Sequence, residues 1–355
     1  YWLAVPDITQ MGFFHDDIPV SRGLASPLTT AFSIVAWCLV LLVTLIAYRK
    51  FPLVAFAFLF YLVGHSMEST VLPLELYFEH RNYLPSVGMA ILLVVALHRT
   101  CTRAESLRFA PCLVGILLGL SVLLALRALA WGDSFSLAQR NVLNHPDSPR
   151  ANYYYALSLV DELQTARAAG IDHQQEAKVA IAARAHYHRA HELDPRSVAA
   201  VVMLYQFDST YFPSAAAEHD WLGVLETLAS RRKVHTSDYA ALNSLIHFAK
   251  STADEDVIVR VHGILGTLVE RYPWRAELLD DFYLIHQARG GARGEVLPLL
   301  ERALAMNESS TLAASHLVAF HAGEDVSETY RAIMEWSRRD TLRRELPAIR
   351  ALLDP

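Results

Sequence analysis

The stretch LTTAFSIVAWCLVLLVTLIAY, residues 28–48, decides the fold class of this chain. It contains no charged residue and has the length of about 20 apolar residues that a helix needs to cross a bilayer. The composition agrees, because 53% of all residues are hydrophobic and 19% are charged, against about 25% charged residues in soluble proteins. The sequence therefore predicts a membrane protein whose first spanning helix lies here.

Three further apolar runs follow this first span. PLVAFAFLFYLVG covers residues 52–64, a similar run covers 84–97, and a longer one covers 109–131. The runs 52–64 and 84–97 are short for a crossing unless flanking residues extend them. We expect four membrane spans in total.

The positive charges predict which side of the membrane each loop faces. Arg49 and Lys50 separate the first and second runs, and basic residues also separate the third and fourth. Positively charged loops stay in the cytoplasm. The N-terminal stretch, the segment between the second and third runs and everything after Trp131 should therefore be extracytoplasmic.

Charge and cysteine content exclude several classes of function. A net charge of -6 and an isoelectric point near 6.2 provide no basic field that would attract nucleic acid. The cysteines lie in or beside apolar runs without a disulfide or zinc spacing, so they are interpreted as packing residues. The chain opens at Tyr1 without a signal-peptide pattern, and we expect it to be the C-terminal part of a longer protein.

After Trp131 the chain becomes rich in Ala, Leu, Arg and Glu, with apolar positions at helical spacing. YYYALSLVDEL (153–163) and ARAHYHRAHELDPRS (183–197) match the two halves of a tetratricopeptide unit, and weaker echoes occur at 268–279 and 299–309. We expect about four to five helix pairs stacked as a solenoid, with an irregular helical bundle as the alternative.

The predicted fold class is all-α, with a polytopic membrane helix domain followed by a tetratricopeptide-like helical solenoid. The expected domains are an extracytoplasmic pre-helix segment at 1–27, a four-span membrane domain at 28–132, a repeat domain at 133–340 and a C-terminal tail at 341–355.

One segment of the membrane part carries several acidic and basic groups. GHSMESTVLPLELYFEHRNYLPSVG covers residues 64–88, and its loop, 65–85, should be extracytoplasmic. Ionisable groups near the bilayer are costly and are paired or used in function. Glu75 and Glu79 would share one face of a helix, whereas Glu79 and Arg81 share a face only in an extended chain. An ion pair between Glu79 and Arg81 that joins two helices is the structural alternative.

The run FEHRNYLPSVG, residues 78–88, resembles the luminal motif of the transmembrane and tetratricopeptide-repeat O-mannosyltransferases, in which a Glu-Arg pair precedes a Leu-Tyr-Leu-Pro-Ser-x-Gly-like stretch. FFHDDIPVSRG, residues 13–23, resembles a segment before a membrane helix in that family. This chain differs in having His80 between the acid and the base and Asn82 before Tyr83. The resemblance implies a C-type glycosyltransferase fold and transfer of a sugar from a polyprenyl phosphate carrier to a protein.

That resemblance implies roles for residues of the loop. Transfer to a hydroxyl needs a base for the hydroxyl and a cation for the departing lipid phosphate. Arg81 is the candidate cation, because a guanidinium can bind two phosphate oxygens at once, and Glu79 would orient Arg81 or the acceptor. His80 and Tyr83 are candidate contacts of the phosphate or sugar, with simple solvation as the alternative for His80. Glu75 is a further candidate, and the essential acidic base of such enzymes would precede the first residue of this chain.

Asp16 and Asp17 form a second candidate site, because paired carboxylates can bind a hard divalent cation. A solvated loop or a helix cap is the alternative, and we predict neither a metal site nor a cofactor. The expected partners are membrane lipid, a polyprenyl-phosphate-linked sugar as donor substrate, and an acceptor or partner protein held by the repeats, without nucleic acid. The expected location is a bacterial inner membrane with periplasmic repeats. The competing hypothesis is a non-enzymatic, membrane-anchored tetratricopeptide scaffold for envelope or secretion assembly.

Overall fold

The computed structural model of the chain is helical. It describes residues 13–18, 20–66, 79–104, 108–170, 172–234, 238–307, 310–322, 325–340 and 343–353. Within these ranges the chain forms α-helices and no β-strand, which confirms the all-α prediction. The chain divides into two compact units, Tyr1–Leu193 and Asp194–Pro355.

The first unit begins with four apolar helices: α1 (Thr29–Ala47), α2 (Pro52–His65), α3 (Tyr83–Arg103) and α4 (Phe109–Trp131). Helices α1, α3 and α4 are long and apolar enough to cross a membrane. Their large apolar side chains are mostly exposed on the protein surface, as expected where lipid replaces water as the solvent. The prediction of a membrane protein is thereby confirmed.

The predicted count of four spans is not matched among the described helices, because α2 is short. This helix has 14 residues and is therefore about 21 Å long at about 1.5 Å per residue. The hydrocarbon core of a bilayer is about 30 Å thick. Among the described residues, three helices rather than four have the length of a span, because α2 ends where the polar residues begin.

Three further helices complete the first unit: α5 (Ser134–Asn144), α6 (Pro149–Ala168) and α7 (His173–Leu193). The Asp133 carboxylate caps α5 by accepting from the Ser136 amide at 2.8 Å, and the Ser148 hydroxyl caps α6. Helix α6 ends before Gly170, whose φ of +80° lies in the left-handed region that glycine adopts without strain. Helices α6 and α7 then pack side by side.

The second unit consists of helices that contact one another in sequence pairs. The bounds are α8 (Val198–Tyr211), α9 (Pro213–Glu218), α10 (Trp221–Arg231), α11 (Tyr239–Thr252), α12 (Glu255–Arg271), α13 (Ala276–Ala288), α14 (Arg293–Met306), α15 (Thr311–His321), α16 (Val326–Arg339) and α17 (Leu346–Leu353). Helix α8 contacts α10, α11 contacts α12, α13 contacts α14 and α15 contacts α16. Neighbouring pairs also touch: α11 packs against both α8 and α13, and α12 packs against both α10 and α13.

Short polar side chains set where many of these helices begin. Five side chains each accept a hydrogen bond from a backbone amide in the first turn of the helix that follows: Ser197, Asp220, Asp254, Ser310 and Asp325. Such caps satisfy amides that have no partner within the helix. The core between the helices is made of small, aliphatic and aromatic side chains; around α14 to α16 it includes Leu279, Ala303, Val318, Ile333 and Trp336.

Candidate functional site

The candidate residues of the membrane part lie at the start of α3. Glu79–Asn82 form a single 3₁₀ turn that leads directly into α3. Arg81 is half-buried and in contact with other groups, whereas Tyr83 is 73% exposed. Glu79 and His80 are described by their backbone, and Glu75 lies outside the described residues. The turn thus places Glu79 and Arg81, the predicted acidic residue and the predicted cation, in one short run before a membrane helix.

Two glycines bring this end of α3 close to the end of α2. A Cβ atom on Gly64 would lie 2.8 Å from Cγ of Pro85, and one on Gly88 would lie 3.1 Å from the backbone of Ala57. Small residues allow such close approach of helices in membranes. Pro85 stands in the first turn of α3, where its missing amide hydrogen costs nothing. The Pro and Gly of the motif therefore have a packing role, which sequence reasoning did not identify.

The segment before α1 forms a second cluster with helices of the extramembrane part. The Phe13 amide donates to Oδ1 of Asn141 in α5 at 2.6 Å. The Phe14 ring is 6% exposed and stacks on Tyr154 of α6, with 5.0 Å between ring centroids and 18° between planes. The segment therefore binds across α5 and α6, although Phe13 and Asn141 are 128 positions apart in the chain.

Asp16 and Asp17 of this segment bind different partners. Oδ2 of Asp17 lies 2.9 Å from Nδ1 of His145, whose side chain is 3% exposed. Asp16 accepts hydrogen bonds from the Ser148 hydroxyl and, at 3.2 Å, from the Arg150 amide. The Arg150 amide belongs to the first turn of α6, where negative charge is stabilised by the helix dipole. Asp16 therefore acts as a helix cap supplied from a distant part of the chain.

Ring and charge contacts strengthen the same docking. The Arg150 guanidinium lies 4.7 Å from the centroid of the Phe14 ring, with Nε 3.6 Å from the Asp16 carboxylate. A cation over an aromatic face adds about 0.5–2 kcal/mol according to its burial. His15 is buried and packs edge to face against His145, with centroids 4.8 Å apart. Every residue from Phe13 to Asp17 thus has a defined contact with α5, α6 or the turn between them.

The carboxylates of Asp16 and Asp17 bind different partners, and this affects whether they could form a metal site together. Asp16 points to the N-terminus of α6, while Asp17 is paired with His145. In the part of the chain that the structure describes, no group of three or more His, Cys, Asp or Glu side chains could hold an ion. What the doublet does in this structure is to fasten the pre-helix segment to the helices after α4.

A cleft of about 560 Å3 lies beside the docked segment. Its lining comes from Phe13 and Phe14, from the start of α5 and from one face of α6. A volume of this size falls within the range of about 300–1,000 Å3 found for small-ligand pockets. The docked segment therefore forms one wall of this concave site.

The tyrosine triplet of α6 divides between core and cleft. Tyr153 packs against the buried Tyr187 with 5.9 Å between centroids, and burial raises the pKa of Tyr153 to about 12. Tyr155 packs on His186 at 4.8 Å, and burial lowers the pKa of that histidine. Tyr154 is 47% exposed and lines the cleft.

The second unit buries acidic groups that sequence reasoning did not single out. Asp281 is 5% exposed; burial, reinforced by the neighbouring Asp280, raises its pKa to about 7 although an Asn243 hydrogen bond works in the opposite direction. The Asp280 carboxylate lies 2.8 Å from Nδ1 of His316. No spacing rule singles out these residues, because their partners are more than 30 positions away.

His145, Ser148 and Arg150 were likewise missed, since their connection to the Asp16–Asp17 doublet spans the whole membrane part. The only signal available in the sequence was the Ser-Pro pair at Ser148, which is typical of a helix start. Comparison of the chain with models of known protein families gives no match, and comparison with curated proteins gives none either.

Proposed function

We propose that this chain belongs to a membrane glycosyltransferase that transfers a sugar from a polyprenyl phosphate carrier to an extracytoplasmic protein. The observation that carries the proposal is the 3₁₀ turn Glu79–Asn82 at the start of α3. The backbone of Glu79, His80 and Arg81 lies directly before α3, and α3 packs against α2. The similarity of residues 13–23 and 78–88 to the O-mannosyltransferase motifs supports the same reading.

The docking of the pre-helix segment supports a topology with four crossings. Residues 13–18 precede α1, and their partners in α5 and α6 follow α4. Two segments in contact must lie on one side of the bilayer, so the number of crossings between them is even. Since α1, α3 and α4 are three, α2 would take part in the fourth crossing.

This topology puts the start of α3 on the same side as α5 and α6. Arg49 and Lys50, in the turn after α1, would lie on the opposite side of the membrane. By the positive-inside rule this opposite side is the cytoplasm. The proposed transfer site and the helices after α4 then face the periplasm of a bacterial inner membrane, where a lipid-linked donor and a secreted acceptor could both reach them.

In the proposed reaction the acceptor hydroxyl oxygen attacks C1 of the sugar, and the bond from C1 to the carrier phosphate oxygen breaks. The hydroxyl proton passes to a carboxylate that acts as general base, and the polyprenyl phosphate leaves with its negative charge. Arg81 would stabilise that charge through two parallel hydrogen bonds. Glu79 would orient Arg81 or the acceptor, and Tyr83 and His80 would contact the phosphate or the sugar.

We further propose that the helices after α4 form tetratricopeptide-like repeats that hold the acceptor. Support comes from hydrogen bonds of the second unit that join positions 36 or 38 residues apart. Asn243 donates to Asp281, and His316 pairs with Asp280. These separations are close to the 34-residue period of the repeat, and the helices contact one another in consecutive pairs.

The test is sugar transfer by the complete protein in membrane vesicles, with tritiated polyprenyl-phosphate mannose or glucose as donor. Removing a group that stabilises transition-state charge lowers the rate by about 10²–10³-fold, which is the loss expected for Arg81→Ala. Arg81→Lys should retain part of the rate, since the charge remains without the planar fork. Arg108→Ala, an exposed arginine before α4, is the matched control and should transfer normally. Full transfer by a normally inserted Arg81→Ala protein would refute the proposal.

A non-enzymatic scaffold is the second candidate, favoured by an exposed apolar stripe on α16. Val326, Tyr330 and Met334 are spaced by four residues and are 89%, 58% and 51% exposed. Exposed apolar patches often mark protein contacts. Under this reading, Tyr330→Asp should abolish photo-crosslinks formed from position 334, while Arg81→Ala leaves both crosslinks and glycosylation unchanged. Loss of glycan from an envelope protein in the Arg81→Ala strain would contradict the scaffold.

A further inference from the structure

We infer that the cleft beside the docked pre-helix segment binds a peptide in which an aromatic or long aliphatic side chain adjoins lysine or arginine. The inference rests on the proposed function where it identifies this peptide as part of the acceptor. The binding itself does not depend on catalysis and can be measured without a donor.

The floor of the cleft supplies the apolar part of the recognition. Phe13 is 42% exposed and Tyr154 is 47% exposed, and both face the cleft together with Phe135 and Leu157. Water is displaced from these rings when an apolar side chain enters, which contributes about 25 cal/mol per Å² of buried apolar surface. Aromatic rings also pack edge to face or offset against another ring. A tryptophan, phenylalanine or leucine side chain fits this chemistry.

Acidic side chains on the walls of the cleft supply the negative charge for the recognition. Asp161 and Glu162 of α6 line the cleft and are exposed, so both carboxylates can be reached by a ligand. Among the described residues that line the cleft, none is basic. Arg150, which lies over the Phe14 ring, is already paired with Asp16. The site therefore favours a cationic ligand and disfavours a lipid phosphate.

The position of the cleft favours a chain that lies along the membrane surface. Helix α5 starts at Ser134, three positions after Trp131, the last residue of α4. The Trp131 ring packs against Phe13 with 5.8 Å between centroids, and tryptophan is typical of the membrane interface. The volume of about 560 Å3 accommodates a few side chains of an extended peptide rather than a folded domain. An acceptor segment held here would lie on the same side as the proposed transfer site.

The experiment measures peptide binding to the full chain in phosphatidylcholine nanodiscs by fluorescence anisotropy. The probes are fluorescein-labelled GSGWKKGSG, GSGWEEGSG and GSGGKKGSG. We expect GSGWKKGSG to bind at least about tenfold more tightly than either of the others, since it alone satisfies both the apolar floor and the acidic wall. Equal binding of all three peptides would overturn the inference.

Variants of the cleft separate its two contributions. Asp161→Asn combined with Glu162→Gln should weaken GSGWKKGSG by about tenfold and remove the preference over GSGWEEGSG. Leu157→Arg should abolish binding, because it places bulk and positive charge in the floor. Leu143→Arg is the matched control, since Leu143 is 72% exposed on α5 and does not line the cleft. Loss of binding in this control, or unchanged binding in the cleft variants, would overturn the site.

Two further results separate the peptide site from a lipid site and from the proposed transferase activity. Excess polyprenyl phosphate should leave peptide binding unchanged, and displacement of the peptide by it would identify a lipid site instead. Arg81→Ala should bind the peptide normally. If the cleft binds GSGWKKGSG but no sugar is transferred to the serines of this peptide, the proposed transferase fails while the peptide site stands. If transfer proceeds without peptide binding, the cleft inference fails alone.

Discussion

Replacing Asp281 by Asn should make the second unit more stable, and the gain should grow with pH. Asp281 lies in α13 with 5% of its surface exposed, and Oδ1 accepts a hydrogen bond from Nδ2 of Asn243 at 2.9 Å. Burial raises the pKa of its carboxyl from 3.8 to about 7. The folded state therefore holds the proton more tightly than the unfolded chain does.

The sign and size of the effect follow from this difference. Stability contributed by the protonated carboxyl is fully present below pH 3.8 and is lost as the pH rises to about 7. The total loss corresponds to about 4 kcal/mol, at about 1.4 kcal/mol for each pH unit between the two values. About 3 kcal/mol of it falls between pH 4.5 and pH 8. An asparagine does not titrate and can still accept from Asn243, so the variant avoids this loss.

Amide hydrogen exchange of α11 and α13, read by mass spectrometry on the full chain in detergent micelles, is the assay. Protection in Asp281→Asn relative to the unsubstituted protein should rise by about two orders of magnitude between pH 4.5 and pH 8. Asp256→Asn is the control for the removal of one carboxylate, since Asp256 is exposed on α12; at pH 8 the gain in Asp281→Asn should exceed any gain in this control. A gain in Asp281→Asn that is equal at both pH values would refute the role of burial in this carboxyl.

Three other predictions concern the first unit. Gly88→Leu should reduce the yield of monodisperse protein in size-exclusion chromatography, because even its Cβ would lie 3.1 Å from the backbone of α2. Gly115→Leu is the control and should behave normally, since a Cβ there meets nothing within 4 Å. Asp17→Asn should weaken the docking of the pre-helix segment by about 1–3 kcal/mol, as expected when one partner of a buried charged hydrogen bond is neutralised, and faster exchange of the amides of residues 13–18 would report it. In a cysteine-free background, Ser66→Cys should react with an impermeant maleimide added outside intact cells and Arg49→Cys should not; labelling of both from the same side would contradict the fourth crossing.

The membrane helices were largely predictable because the signal for them is local. The run predicted at 28–48 corresponds to α1, and the run at 109–131 coincides with α4. Spanning a bilayer depends on length and hydropathy, which can be counted along the chain. The predicted count of four spans is not matched among the described residues, because α2 with its 14 residues reaches by itself only part of the way across the hydrocarbon core.

The candidate site was predictable only in part. The acidic doublet Asp16–Asp17 stood out by its composition, yet its partners His145 and Ser148 lie 128 and 132 positions away. A helix period or a ligand spacing reaches over a few residues, so neither can indicate such a pair. The roles proposed for Glu79 and Arg81 stay predictions.

The sequence by itself determined that this chain is helical and that part of it lies in lipid, since hydropathy and helical periodicity are properties of neighbouring residues. The tertiary structure decided which polar groups are buried and with whom. Tyr153 enters the core while the adjacent Tyr154 lines the cleft, and Asp281 acquires a raised pKa. These outcomes depend on which helices pack against a residue, because desolvation and hydrogen bonding act through contacts between parts of the chain that are distant in sequence.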